Sequence, residues 1–265
     1  MPHDRTMATV SEGDAKRADG PDLSVFEQRG FEVRFGWGPN GLRRLAPHVE
    51  AIVIIDVLSF STSVDLILGR GGIVLPYEWH NGTEADYAAE HDAVVAAKTP
   101  KPGEWSLRPS SLVDVPAGLR IVLPSPNGSA LTFGARNAGA RRVVVGCLRN
   151  ARAIARSLDD ATSVGVIAAG ERWRGATGPL RPALEDLLGA GAILSALGRS
   201  SMSPEATAAA LTFEAGEDRL DWLMRESGSG REHRAKLDPK NIELAADLNA
   251  SPLVPTLVDH ELIAD

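Results

Sequence analysis

Short β-branched apolar runs alternate with segments of helical periodicity along most of this chain, and that alternation limits its fold more than any other feature. Phe31 to Phe35, Ile52 to Leu58, Ile73 to Leu75, Ile121 to Leu123, Arg142 to Cys147 and Val164 to Ala168 read as strands. Runs that stay apolar at successive positions suit strands covered on both faces of a sheet. Between them, Thr62 to Leu68, Thr83 to Ala97, Ser129 to Ala138, Ala151 to Leu158 and Ala183 to Leu197 read as helices. In the last of these, Leu184, Leu187, Leu188, Ala190, Gly191, Leu194 and Leu197 fall near helical spacing, which predicts one buried face. The expected class is α/β, a layered α/β/α arrangement with a largely parallel or mixed sheet.

Beyond Gly198 the pattern turns helical, with Pro204 to Phe213, Glu217 to Glu226 and Lys240 to Leu248. Ser203 before Pro204 fits an N-cap followed by a first-turn proline. Residues 199–250 are read as either a helical subdomain or a cover on the same sheet, with Ser227 to Gly230 as a flexible joint. Residues 1–23 mix charge with Gly, Ala and Pro and are expected to form a disordered tail ahead of one folded domain, 24–265. A chain of this size buries enough apolar surface to need no covalent staple.

Composition narrows the chemistry. Cys147 is the single cysteine, so no disulfide framework or thiolate zinc site is available, and a reducing cytoplasm is the natural expectation. The histidines are scattered without metal-ligand spacing. With 35 acidic against 28 basic side chains the net charge is −7, which argues against nucleic acid as a partner. No run approaches the roughly 20 apolar residues of a membrane span. The expected partner is a small molecule or a protein; the oligomeric state stays open, a homo-oligomer included.

Four strand ends lead into polar loops and then helices: Asp56 to Thr62, Pro124 to Ser129, Gly146 to Asn150 and Gly170 to Asp186. If these strands are parallel, the loops share the carboxyl edge where open α/β sheets bind ligands. Asp56 closes an otherwise apolar strand. Its carboxylate reads equally as a metal ligand or as a cap on the Ser59 to Thr62 turn. Ser125 to Ser129 precedes a helix and could offer backbone N–H groups to a phosphate, or be an ordinary Asn-Gly turn. Asn150 is an N-cap candidate, and Cys147 reads as a small buried residue. Glu185-Asp186 opens the long apolar helix, where acids suit either the helix dipole or Mg²⁺. Arg172 and Arg174 are anion binders or members of a solvated loop.

Taken in order, these loops resemble the 2-phosphosulfolactate phosphatase (ComB) family. Ile55-Asp56-Val57-Leu58 with Ser61-Thr62 is similar to its IDVLRAST-like segment, Pro126-Asn127-Gly128-Ser129 to its TTNGT loop, and Gly146 to Asn150 to its G-x-x-x-N strand end. Ala169-Gly170 and Leu184-Glu185-Asp186-Leu187-Leu188-Gly189-Ala190-Gly191-Ala192-Ile193 resemble its AG and LEDLLCAGAI pair, the most specific match. Ala245 to Asn249 with Val254-Pro255 fits the ending. Ser59-Phe60 departs from the family's Arg-Ala, Arg108 to Ser111 departs from a GNSP-like turn, and the Gly170 to Asp186 connection is longer than usual.

The resemblance implies Mg²⁺-dependent hydrolysis of 2-phosphosulfolactate, or a related small anionic phosphomonoester, as in coenzyme M synthesis. Asp56, Glu185 and Asp186 would position the metal. Ser61, Thr62, Asn127, Gly128, Ser129, Asn150, Arg172 and Arg174 would bind substrate, with Asp56, Asn127 and Glu185 catalytic. The competing reading, motivated by Ser59, is a ComB-like protein without catalysis that binds a small anion or a protein partner.

Overall fold

A computed structural model describes residues 22–78, 82–173, 178–236 and 238–265. In chain order the elements are β1 (Val33–Trp37), α1 (Gly38–Leu45), β2 (Ala51–Ile55), α2 (Phe60–Leu68), β3 (Ile73–Tyr77), α3 (Glu84–Glu90) and β4 (Val94–Val95). Then come β5 (Arg120–Pro124), α4 (Gly128–Ala135), β6 (Arg142–Gly146), α5 (Ala151–Ser157), β7 (Val164–Ala168), β8 (Glu171–Arg172), β9 (Leu180–Arg181) and α6 (Leu184–Leu197). The chain ends with α7 (Pro204–Gly216), α8 (Leu220–Glu226), α9 (Gly228–Lys236), α10 (Lys240–Ala246), β10 (Pro255–Val258) and β11 (Glu261–Ala264). Among the described residues no helix is long and apolar enough to cross a membrane.

The main sheet has the order β1-β7-β2-β6-β10-β11-β3-β5-β4. Strands β1, β7, β2 and β6 form one parallel block, with Val53 of β2 in register with Val166 of β7 and Val144 of β6. Strands β3, β5 and β4 form a second parallel block, and the antiparallel hairpin β10–β11 joins the two. The layered α/β class is therefore as expected, with a mixed, mostly parallel sheet.

Side-chain alternation explains why β2 is apolar throughout. Ala51, Val53 and Ile55 face a core built with α5 to α8 and α10, whereas Ile52 and Ile54 face a second core built with α1, α2 and α4. The C-terminal helices share the first of these cores through Ala206, Ala209, Phe213, Met224 and Ile242. Close packing of α7 on α6 depends on Gly191, where an added Cβ would lie 2.3 Å from the Ala209 carbonyl oxygen. Arg149 ties α10 to this body, donating to Asp65 on α2 at 2.8 Å and to the Leu244 carbonyl at 3.0 Å.

Several local expectations shift. Strand β2 stops at Ile55, and 56–59 form a turn, so α2 begins at Phe60 and not at Thr62. The helix expected to run from Thr83 to Ala97 ends at Glu90, because Asp92 adopts a left-handed conformation (φ 50°) and Val94–Val95 pairs with β5. Ser227 to Gly230 is no joint: Ser227 Oγ accepts from Gly230 N at 2.9 Å and starts α9. The C-terminal tail forms the hairpin that links the two blocks.

By pairing, β5 runs opposite to β2, so the shared carboxyl edge expected of all four loops holds for β2, β6 and β7 only. The loop after β5 nevertheless reaches Asp56. Five steps separate β2 from β5, and a sheet twist of about 20–25° per step accumulates to roughly 100–125°, which carries the second block over toward the first. Helix α4 packs between them, touching β2, β3 and β6.

Candidate active site

Asp56 stands where the buried strand β2 gives way to the turn into α2. Its amide donates to Ser61 Oγ at 2.9 Å, and Thr62 Oγ1 donates to the Val57 carbonyl at 2.8 Å. Ser61 and Thr62, both buried, thus spend their hydroxyls on closing the turn. The Asp56 carboxylate projects onto the start of α4. Its Oδ2 accepts from Gly128 N at 2.7 Å and from Ser125 Oγ at 3.4 Å, and its Oδ1 accepts from Phe60 N at 3.4 Å.

The N-terminus of α4 therefore holds the protein's own carboxylate, the anion a helix N-terminus favours. Glycine is required at 128, since a Cβ there would come within 2.6 Å of the Asp56 Cβ. Asn127 Nδ2 donates to Glu171 Oε1 at 3.2 Å, while its Oδ1 is buried without a partner. Ser129 Oγ accepts from Tyr77 N at 2.7 Å, and Asn150 bridges Cys147 N and the Val145 carbonyl at the end of β6. Burial pushes the Cys147 thiol up to about 12, so it carries no thiolate at neutral pH.

Glu185 and Asp186, on the first turn of α6, are both almost fully buried. Asp186 fastens two strand ends together: Oδ1 accepts from Val57 N and Oδ2 from Gly170 N, each at 2.8 Å. Glu185 hydrogen-bonds Ser229 of α9 and feels Arg181 of β9, but its Oε2 is buried with no partner. Burial, together with the negative charges of Glu171 and Glu185, raises the Asp56 carboxyl to about 7 against the opposing Gly128 and Phe60 N–H groups. Burial likewise raises Glu185 and carries Asp186 well above the ordinary carboxylate range, with Asp56 and Glu185 adding to the latter.

A cavity of about 290 Å³ opens beside Asp56, and Ser59, Lys98, Arg108, Ser125, Asn127, Glu171 and His233 are among the residues that line it. Of the expected site residues, Asp56 and Asn127 reach this cavity. Gly128, Glu185 and Asp186 stand behind it, Ser61, Thr62 and Asn150 are engaged in local turns, and Ser129 binds the end of β3 through Tyr77 N. Arg172 faces a neighbouring, largely apolar cavity of about 330 Å³ between α1 and α4. Its Nη1 donates to the Gly178 carbonyl at 3.3 Å. Arg174 lies outside the described residues. Among the described residues, no group of three or more His, Cys, Asp or Glu is arranged to hold a metal ion.

Sequence reasoning missed Glu171, Arg108 and His233. Glu171 had a signal, since it directly follows the β7 end at Ala169-Gly170. Arg108 had a weaker one, as the first residue of the segment that departs from a GNSP-like turn, and His233 had none, because it arrives from a remote segment.

Residues 42–260 match the family model described as 2-phosphosulpholactate phosphatase. Over 222 residues the chain is 28% identical to a protein of Deinococcus radiodurans named "Probable 2-phosphosulfolactate phosphatase", covering 79% of this chain and 88% of that protein. This chain belongs to the 2-phosphosulpholactate phosphatase family, a family of phosphomonoester hydrolases.

Proposed function

We propose that this protein hydrolyses a small phosphomonoester bearing a second anionic group, 2-phosphosulfolactate or a close relative, with Mg²⁺ as its cation. The observation that carries the reading is the composition of the cavity, where the carboxylates of Asp56 and Glu171 stand with Arg108 and Lys98. Carboxylates alone would repel a phosphate. The guanidinium of Arg108 suits a carboxylate, sulfonate or phosphate oxygen, and so offers at this wall the positive charge that Ser59 does not.

The donors fit a hard divalent cation in type. Glu185 Oε2 has no hydrogen-bond partner, and the carboxyls of Asp56 and Glu185 are raised in part by neighbouring negative charge, a condition that a cation relieves. Mg²⁺ commonly takes one or two carboxylates and completes its shell with water and phosphate oxygens, so Asp56 and Glu185 would suffice to hold it. When bound it supplies charge that offsets the phosphate in the transition state. Asn127, which lines the cavity and whose buried Oδ1 has no partner, orients the substrate or its water, and Asp186 keeps the β2 and β7 ends in place. The reaction belongs with coenzyme M synthesis, and a lone buried thiol suits the cytoplasm.

The test is phosphate release from 2-phosphosulfolactate, 2-phospholactate and neutral alkyl phosphates, with Mg²⁺ and with EDTA. Release from the doubly anionic substrates, abolished by EDTA, is expected. Absence of release from the whole panel would sink the hydrolase reading and favour the non-catalytic anion binder that Ser59 suggests.

A further inference from the structure

Helix α9 delivers a histidine, His233, to the cavity beside Asp56. Ser227 caps the helix, and Ser229 on its first turn accepts from Arg181 Nη2 at 3.1 Å and bonds Glu185. Positions four apart share a helix face. With Ser229 fixed over Glu185, His233 turns to the same side, and its ring lines the cavity together with Asp56, Arg108, Asn127 and Glu171.

The ring is not used to hold the fold. His91 shows the structural alternative, with Nδ1 at 2.8 Å from the Tyr87 carbonyl oxygen. His233 Nδ1, in contrast, is buried with no hydrogen-bond partner in the fold. The charged groups around it are Glu232 on its own helix, Glu171 on β8, Asp56 after β2, and Arg108 and Lys98 on the connection between β4 and β5. Burial holds its pKa below the ordinary 6.5, with Arg108 acting in the same direction and Glu232 and Glu171 opposing. At neutral pH the imidazole is uncharged and accepts a proton.

We propose that His233 is the general base of the hydrolysis, its imidazole taking a proton from the water that attacks phosphorus. The inference rests on the hydrolase reading above. The water oxygen forms the new P–O bond and one of its protons passes to the imidazole. The P–O ester bond breaks with its electron pair on the ester oxygen, which takes a proton from solvent and leaves as the alcohol, and the imidazolium then returns its proton to solvent.

His233→Ala tests this, with His233→Gln as a companion that fills the space, both assayed for phosphate release in Mg²⁺ at neutral pH. We expect kcat to fall about 100-fold or more in each, as for loss of a general base, with melting temperatures near that of the wild type. Free imidazole should restore part of kcat to the Ala variant, in proportion to its unprotonated fraction, and leave the Gln variant unmoved. A near-wild-type kcat in both variants overturns the proposal, as does a fall in the Ala variant that imidazole does not restore. An active wild type with an indifferent His233 removes the base alone, whereas a wild type inactive on every phosphomonoester removes the hydrolase reading and the base with it.

Discussion

Asp56 and Asp186 are buried to nearly the same extent at neighbouring corners of the site, 5% and 3% exposed, and the fold uses them in opposite ways. Asp186 gives one oxygen to each of two strand ends through short bonds of 2.8 Å. Asp56 receives one short bond of 2.7 Å from Gly128 and two long ones of 3.4 Å, and it lines the cavity. Burial of a carboxylate therefore does not mark it as functional. The distinguishing feature is whether its acceptor sites are taken up by backbone amides or left to a ligand.

The same chemical change at both positions should separate the two uses. In Asp56→Asn the single remaining acceptor oxygen can still take the Gly128 amide, the strong bond, so folding survives. Activity should fall about 100-fold or more, the scale of removing one electrostatic stabiliser of a transition state. Phosphate-release kinetics with Mg²⁺ check this, and an active Asp56→Asn protein would remove Asp56 from the catalytic set.

Asp186→Asn offers no such escape, because both oxygens accept short bonds and the new NH₂ must face one of the two amides. Leaving a buried amide unpaired costs about 1–3 kcal/mol. Denaturant titration should register that loss, and kcat per folded molecule should change less than in Asp56→Asn. Wild-type stability in this variant would mean that the two corners are alike after all.

The deep half of this site was readable in the sequence, because its residues sit where regular patterns break. Asp56 interrupts an apolar strand, and Glu185-Asp186 opens a helix whose apolar face is unmistakable. The outer half was hidden. His233 lies in Gly228-Ser229-Gly230-Arg231-Glu232-His233, a polar stretch without periodicity. Only the Ser227 cap and the tie from Ser229 to Glu185 make it a helix facing the cavity. The β10–β11 hairpin was likewise obscured by Pro255 at its start and by its short length, and without it the direction of β5 could not be known. Local pattern encodes the elements, whereas the approach of remote segments depends on sheet order and twist.

Glu171 provides the finest probe of the Asp56 corner, since its charge reaches Asp56 through space. Glu171→Gln keeps an oxygen for Asn127 Nδ2 and Arg172 N, both of which donate to Oε1, and removes only the negative charge. The Asp56 carboxyl, raised from 3.8 to about 7 in the folded protein, should then titrate lower. Between those two values the folded protein holds a proton that the unfolded chain has released. The stabilisation it brings is complete below 3.8 and is lost as pH rises through about 7. In buffer freed of divalent cations, the wild-type melting temperature should accordingly decline from about pH 5 to about pH 8, with Glu185 and Asp186 contributing in the same direction. In Glu171→Gln the decline should be shallower, because Asp56 and Glu185 both lose a source of repulsion. Superimposable melting curves for the two proteins across that range would show that Glu171 does not act on this corner, and would leave burial and Glu185 to account for the raised carboxyl of Asp56.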